Sequence, residues 1–447
     1  MKTDSLTQGT IWKKLLLFAV PLVISQFLQQ FYNTIDAIVV GNYVSNEALA
    51  AVGITGPIVN MIVAFFSGMS TGASVIISQY TGAKNEKGVS DSVHTSMSLA
   101  IILGIVLSFI GYFTSPIILR LMQTPEDMIQ DAASYLAIYF IGLVGLTIYN
   151  IGAAILNASG DSKRPLYFLI VSTIVHTILV FVLVAWIPLG ISGAALATTI
   201  SQVVSAILVV ISLCKSDTST HLNLKKLRVD KYIVKRIASI GIPAALQQSI
   251  VSISNIVVTS YINALDTIVI AGYSVAQKAD GFLMIPTSAL SLATTTFVGQ
   301  NLGAKQVDRA RKGVRDALLL NISITAVLSI LSIIFITPLL KIFSSDAAVI
   351  LAGYDFLMIY SITRIILTLT NILPGALRGA GDVKVATYAC IGSFVVLRQI
   401  YLAIVTKIVY STVSIMLCYP ITWMIAGIII IFHYRKSDWS SFASSET

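Results

Sequence analysis

Charged side chains are scarce. They make up 11% of the 447 residues, where a soluble chain carries about 25%. No polar stretch is long enough to fold a water-soluble domain, and the one sizeable polar gap runs from Lys215 to Arg236. Cysteine is almost missing too. Cys214, Cys390 and Cys418 sit in or at the ends of apolar segments, without metal-ligand spacing or a pairing pattern, which excludes a disulfide scaffold and a zinc module. There is no phosphate-cradling glycine loop and no nucleophile–base set, so the chain reads as neither an ATP-driven pump nor an enzyme. The formal net charge of +9 has no basic soluble surface to spread over, which excludes a nucleic-acid partner. The first apolar run lacks a small-residue cleavage site and is expected to stay in place as a helix.

What the chain has instead is apolar length. Hydrophobic residues make up 56% of it, and the mean hydropathy is +0.87. Twelve apolar segments can be counted, at about 15–40, 50–78, 93–115, 131–157, 165–186, 191–214, 238–262, 268–298, 317–337, 350–377, 386–406 and 412–433. Each is near the roughly 20 residues that cross a bilayer, and their continuity, without strand-like alternation, excludes a β-barrel. The expected class is an all-α polytopic membrane protein with twelve transmembrane helices. Basic residues set its orientation. With the N-terminus cytoplasmic, 23 of the 29 Lys and Arg fall on that side, among them Lys13, Lys14, Lys84, Lys87, Lys163, Arg164, Arg435 and Lys436. Both termini are therefore expected in the cytoplasm, with the chain in the cell membrane.

The chain also repeats. Gln79, Gly82, Ala83 and Lys84 return as Gln300, Gly303, Ala304 and Lys305, 221 residues on. Asn150, Gly160, Asp161 and Lys163 return at the same offset as Asn371, Gly381, Asp382 and Lys384. Pro21, Gln26 and Asn33 match Pro243, Gln248 and Asn255 at an offset of 222. Two pseudo-symmetric six-helix bundles are expected: an N-lobe over 1–214, a cytoplasmic linker over 215–236 and a C-lobe over 237–447. Transporters built from such parallel repeats bind substrate between the repeats and rock one against the other.

The first segment is polar along one side. Gln26, Gln29, Gln30 and Asn33 recur at i, i+3, i+4 and i+7, and Asp36 continues the stripe. Gln248, Ser252, Asn255 and Thr259 form a second stripe in the seventh segment. Gln26, Gln30, Asn33, Gln248, Ser252 and Asn255 are the expected lining of a substrate cavity, with interhelical packing as the competing explanation. The match is unequal in one respect: Asp36 has Val258 as its counterpart, so the carboxylate exists in one half alone. An ionisable group inside a spanning helix normally faces protein or water, and Asp36 is the expected ion or proton site.

The stretches FAVPLVISQFLQQFYNTIDAIVVGNYV, EALAAVG, ISQYTGAKN, LMQTPED, ILNASGDSKRPLYFLI, GISGAALATTISQ, SISN, FVGQNLGAK and LPGALRGAGD run from one end of the chain to the other. Together they resemble the bacterial type of the multidrug and toxic compound extrusion family. That resemblance implies a twelve-helix, two-lobe antiporter that expels bulky, often cationic organic compounds in exchange for H⁺ or Na⁺. No cofactor beyond the coupling ion is expected, and the chain is expected to be a monomer. It also implies that Asp36 is the family's first-helix acid, Thr198 the sixth-helix threonine of the ion site, and Pro21 the proline at which the first helix bends. Where related sequences often carry Asn and Asp one turn apart in the fifth helix, this chain has His176 and Val180. That departure weakens a Na⁺ site, since hard cations want several oxygen ligands, and favours proton coupling with His176 as relay or as a packing residue.

The C-terminal half holds its own intramembrane charges, Lys278, Asp280, Arg364 and Arg398. Asp280 is expected to bridge Arg364 or Arg398. Gly160 and Gly381 are expected to stop helices, and the Asp after each to cap the next. The alternative functions are a flippase for a lipid-linked precursor, from the same superfamily, and a non-transporting membrane scaffold or receptor.

Overall fold

The computed structural model describes residues 6–44, 46–122, 124 and 126–439. Among them no strand occurs, and twelve helices are long and apolar enough to cross a membrane. In chain order they are α1 (Ile11–Tyr43), α2 (Asn46–Gly82), α3 (Glu86–Leu121), α4 (Glu126–Ala158), α5 (Lys163–Trp186) and α6 (Gly190–Cys214). The second set is α7 (Lys231–Ile262), α8 (Thr267–Gly303), α9 (Val307–Ile334), α10 (Ala347–Ala380), α11 (Lys384–Ile408) and α12 (Thr412–Lys436). Large apolar side chains such as Leu17, Phe109, Phe113, Ile178 and Ile330 lie exposed on helix flanks, the pattern of a protein solvated by lipid.

The helices form two compact units. The first holds Ile24–Gly241 and the second holds Leu6–Val23 together with the chain from Ile242 onward. The boundaries fall within α1 and α7, close to Pro21 and Pro243. A proline inside a helix removes one backbone bond and allows a bend. The opening turns of α1 pack in the second unit, where Leu15, Phe18, Ala19 and Leu22 join Ala289, Leu290, Ala293 and Phe297. Reciprocally, the opening turns of α7 pack in the first unit. There Arg236 donates to Gln79 Oε1 and to the Tyr80 hydroxyl, both at 2.9 Å. The linker ahead of α7 belongs to the same unit.

The approach of α7 to α2 depends on Gly72. A Cβ on that residue would sit 2.4 Å from Ile237 O. Gly72→Val is therefore expected to lower stability by about 1–3 kcal/mol, read as a fall in the unfolding midpoint of the detergent-solubilised protein.

Elsewhere the cores are apolar. Val39, Val40, Phe66, Leu136, Phe140, Leu143 and Val180 fill the first unit, and Tyr273, Phe356, Leu357, Tyr360 and Trp423 the second. The repeated glycines end α4 and α10 with φ of +94° at Gly160 and +87° at Gly381. This is the left-handed conformation that glycine adopts at least cost. The aspartates after them diverge. Asp161 Oδ1 accepts from the Lys163 and Arg164 amides and so caps α5, whereas Asp382 Oδ2 meets His433 Nε2 of α12 at 2.6 Å.

Candidate functional site

Three helices of the first unit converge on one carboxylate. Tyr32 and Asp36 are one turn apart on α1 and share a face. On α5, Ser172 and His176 are likewise one turn apart, and α6 presents Thr198 and Ser201. Thr198 Oγ1 donates to Asp36 Oδ2 at 3.3 Å, and His176 Nε2 lies 2.9 Å from Asp36 Oδ1. His176 is fully buried and the Asp36 side chain is 14% exposed. The short His176–Asp36 approach is off the line of a hydrogen bond: Oδ1, Nε2 and Nδ1 are all buried without a hydrogen-bond partner.

The framework around the pair is tightly bonded. The Tyr32 ring stacks on the His176 imidazole at 3.6 Å between centroids, tilted by 19°. Ser201 Oγ donates to Thr198 O at 2.8 Å, which leaves the Tyr32 hydroxyl as donor to Ser201 Oγ at 2.6 Å. Ser172 Oγ ties α5 to α6 by donating to Ser201 O at 2.8 Å. One turn beyond His176, buried Val180 precedes a π-helical segment, Phe181–Trp186, a distortion common beside functional groups. An imidazole and a carboxylate this close form an ion pair whenever the ring carries its second proton. Among the described residues no three His, Cys, Asp or Glu side chains cluster as a metal site.

The structure thus brings Asp36, His176 and Thr198 together. Gln26 and Gln30 are half-buried on α1, while the side chain of Asn33 lies outside those described. On α7, Gln248 is exposed, and half-buried Ser252 donates to Gln248 O at 2.9 Å. Tyr32, Ser172 and Ser201 belong to no functional motif in the sequence. Tyr32 carried a signal, being four residues before Asp36 on the same face.

In the second unit Asp280 Oδ1 meets Arg364 Nη2 at 2.5 Å. Arg398 turns elsewhere, donating to Asn255 Oδ1 at 2.8 Å and Thr422 Oγ1 at 3.3 Å, with its guanidinium 4.6 Å from the centre of the Tyr419 ring. Lys278 is exposed. Asn255 is the repeat partner of Asn33, and Thr422 that of Ser201. The second repeat therefore ties a buried guanidinium to its copies of Asn33 and Ser201, while the position matching Asp36 is Val258.

Twelve membrane-crossing helices among the described residues, in two sets that repeat each other in sequence, define a multi-pass membrane protein that arose by duplication. The family profile described as MatE matches residues 21–182 and again 243–405, and the chain belongs to that family, whose members are membrane transporters and not enzymes. It is 31% identical over 388 residues, 85% of this chain and 84% of the other, to the probable multidrug resistance protein YoeA of Bacillus subtilis (strain 168). A second protein of that organism, the probable multidrug resistance protein YpnP, is 28% identical over 406 residues, 90% of either chain. In fold the chain matches a solved multidrug resistance MATE family transporter of the MOP superfamily with a TM-score of 0.92, at 21% identity, covering 100% of this chain and 99% of that one.

Proposed function

We propose that this protein exports bulky organic compounds, cationic ones among them, across the cell membrane in exchange for protons. It works as a single chain by alternating access, with both termini in the cytoplasm and no cofactor beyond the coupling ion. Export of drug-like compounds is supported by the names of the relatives above, which do not favour a lipid-precursor flippase.

The observation that carries the coupling is the Asp36–His176–Thr198 cluster. A proton and a cationic compound exclude each other there, because each neutralises the same carboxylate. Proton coupling is preferred to Na⁺ because an imidazole nitrogen occupies one side of Asp36, where a hard cation wants oxygen ligands.

The test is dye export by the reconstituted protein with the H⁺ and Na⁺ gradients collapsed separately. Collapse of the H⁺ gradient is expected to stop export. Export that survives it and stops with the Na⁺ gradient overturns proton coupling. His176→Asn is expected to flatten the pH dependence of export, and an unchanged pH profile would remove the relay.

A further inference from the structure

Beside the α3 N-terminus the linker borders an open cleft of about 480 Å³, lined by Lys87, Asp91, His94, Lys226, Leu227 and Arg228 among others. The site is built from two sides. Lys87, Asp91 and His94 share one face of the first turns of α3. Lys226 and Arg228 come from the linker, which includes a 3₁₀ turn at Leu224–Lys226.

Both ends of that linker segment are pinned. At one end the Asn223 amide donates to His94 Nε2 at 3.1 Å, while Asn223 Oδ1 accepts from the Lys225 amide at 3.0 Å. At the other, the Asp230 amide donates to Thr95 Oγ1 at 3.3 Å, and Asp230 Oδ1 caps α7 by accepting from the Tyr232 amide at 2.8 Å. Arg228 pairs with Asp91 across the middle. His94 Nδ1 is 2.7 Å from Ser90 O, which can only accept. Asn223 N can only donate to Nε2, so these two bonds together require the neutral tautomer with the proton on Nδ1.

Three cations therefore face one carboxylate, already taken by Arg228, and a neutral imidazole. Lys87 and Lys226 are exposed and have no ion-pair partner among the described residues. Around them the linker shows apolar side chains to the outside: Leu224 is 53% exposed, Val229 48% and Tyr232 49%. Basic groups interleaved with exposed apolar ones, where two spanning helices begin, are the composition of a segment lying on a membrane surface.

We infer that this cleft is a phosphate-binding site, its occupant the phosphate of an anionic lipid headgroup or a free phosphate, held by Lys87 and Lys226 over the Arg228–Asp91 clasp. The inference stands apart from the transport reading, since it needs no coupling ion and no substrate.

The test uses the full chain in detergent, titrated with phosphatidylglycerol, phosphatidylcholine or inorganic phosphate while the unfolding midpoint is followed. The paired variant Lys87→Gln with Lys226→Gln leaves the Arg228–Asp91 clasp in place. A control with equal charge loss, Lys312→Gln with Lys384→Gln, lies outside the cleft. Wild type and control are expected to rise in midpoint with phosphatidylglycerol and not with phosphatidylcholine. The cleft variant should need about tenfold more of the anionic lipid for the same rise. A rise with inorganic phosphate that the cleft variant loses assigns the site to the free ion. Should wild type fail to separate the anions from phosphatidylcholine, or the cleft variant respond like the control, the site is overturned.

Discussion

Asp36→Asn is expected to abolish ion-driven export, with a loss of at least about tenfold in rate, while the protein still inserts and folds. Asparagine is nearly isosteric with the carboxylate. Its amide oxygen can accept from Thr198 Oγ1, as Asp36 Oδ2 does now, and its amide nitrogen can face His176. The one thing removed is the ability to take up and give back a proton. Export of a fluorescent cation from cells, normalised to the amount of protein in the membrane, reads the effect. Wild-type export by the variant would end the proposed coupling. A variant that is missing from the membrane would mean that the carboxylate holds the bundle together.

The second large effect concerns stability. Arg364 is 2% exposed and pairs with Asp280 at 2.5 Å, inside a unit whose outer surface faces lipid. Arg364→Met is expected to cost about 3 kcal/mol, because it strands a largely enclosed carboxylate whose side chain is 19% exposed. The double variant Asp280→Asn with Arg364→Met should recover most of that loss, since replacing both members leaves no uncompensated charge. Unfolding midpoints of the two variants in detergent decide the matter. A double variant no more stable than the single one would mean that the arginine is needed for its packing. The Nε and Nη1 atoms of Arg364 have no hydrogen-bond partner, so the carboxylate carries the pairing.

The twelve spans and the duplication were legible in the sequence because both are one-dimensional. Apolar run length fixes a crossing, and a constant offset betrays a repeat. Asp36 was legible for a related reason, as a solitary acid in an apolar helix. Of its surroundings, Thr198 and His176 came from the family resemblance and not from periodicity, while Tyr32, Ser172 and Ser201 went unmarked. That His176 would approach Asp36 depends on the rotation of α5 against α1, which periodicity leaves open. The choice of Asp280 between Arg364 and Arg398 is settled by the same kind of rotation, with Arg398 drawn instead to Asn255 and Thr422. Asp161 and Asp382 share a motif yet do different things, because His433 reaches the second from a helix far along the chain. Hydropathy also says nothing of which bundle a given stretch of helix joins, and so the mixed membership of α1 and α7 had no signature.

That mixed membership bears on how such a chain can be cut or assembled. Each repeat lends the opening turns of its leading helix to the other's bundle. A fragment ending in the linker would leave Leu15, Phe18 and Leu22 without the neighbours that cover them, and Gly72 without the helix it admits. Two such fragments should work only when made together, as interlocking pieces. By the same logic, an ancestral single-repeat polypeptide would have had to live as a clasped pair, trading leading arms between copies before one gene came to encode both.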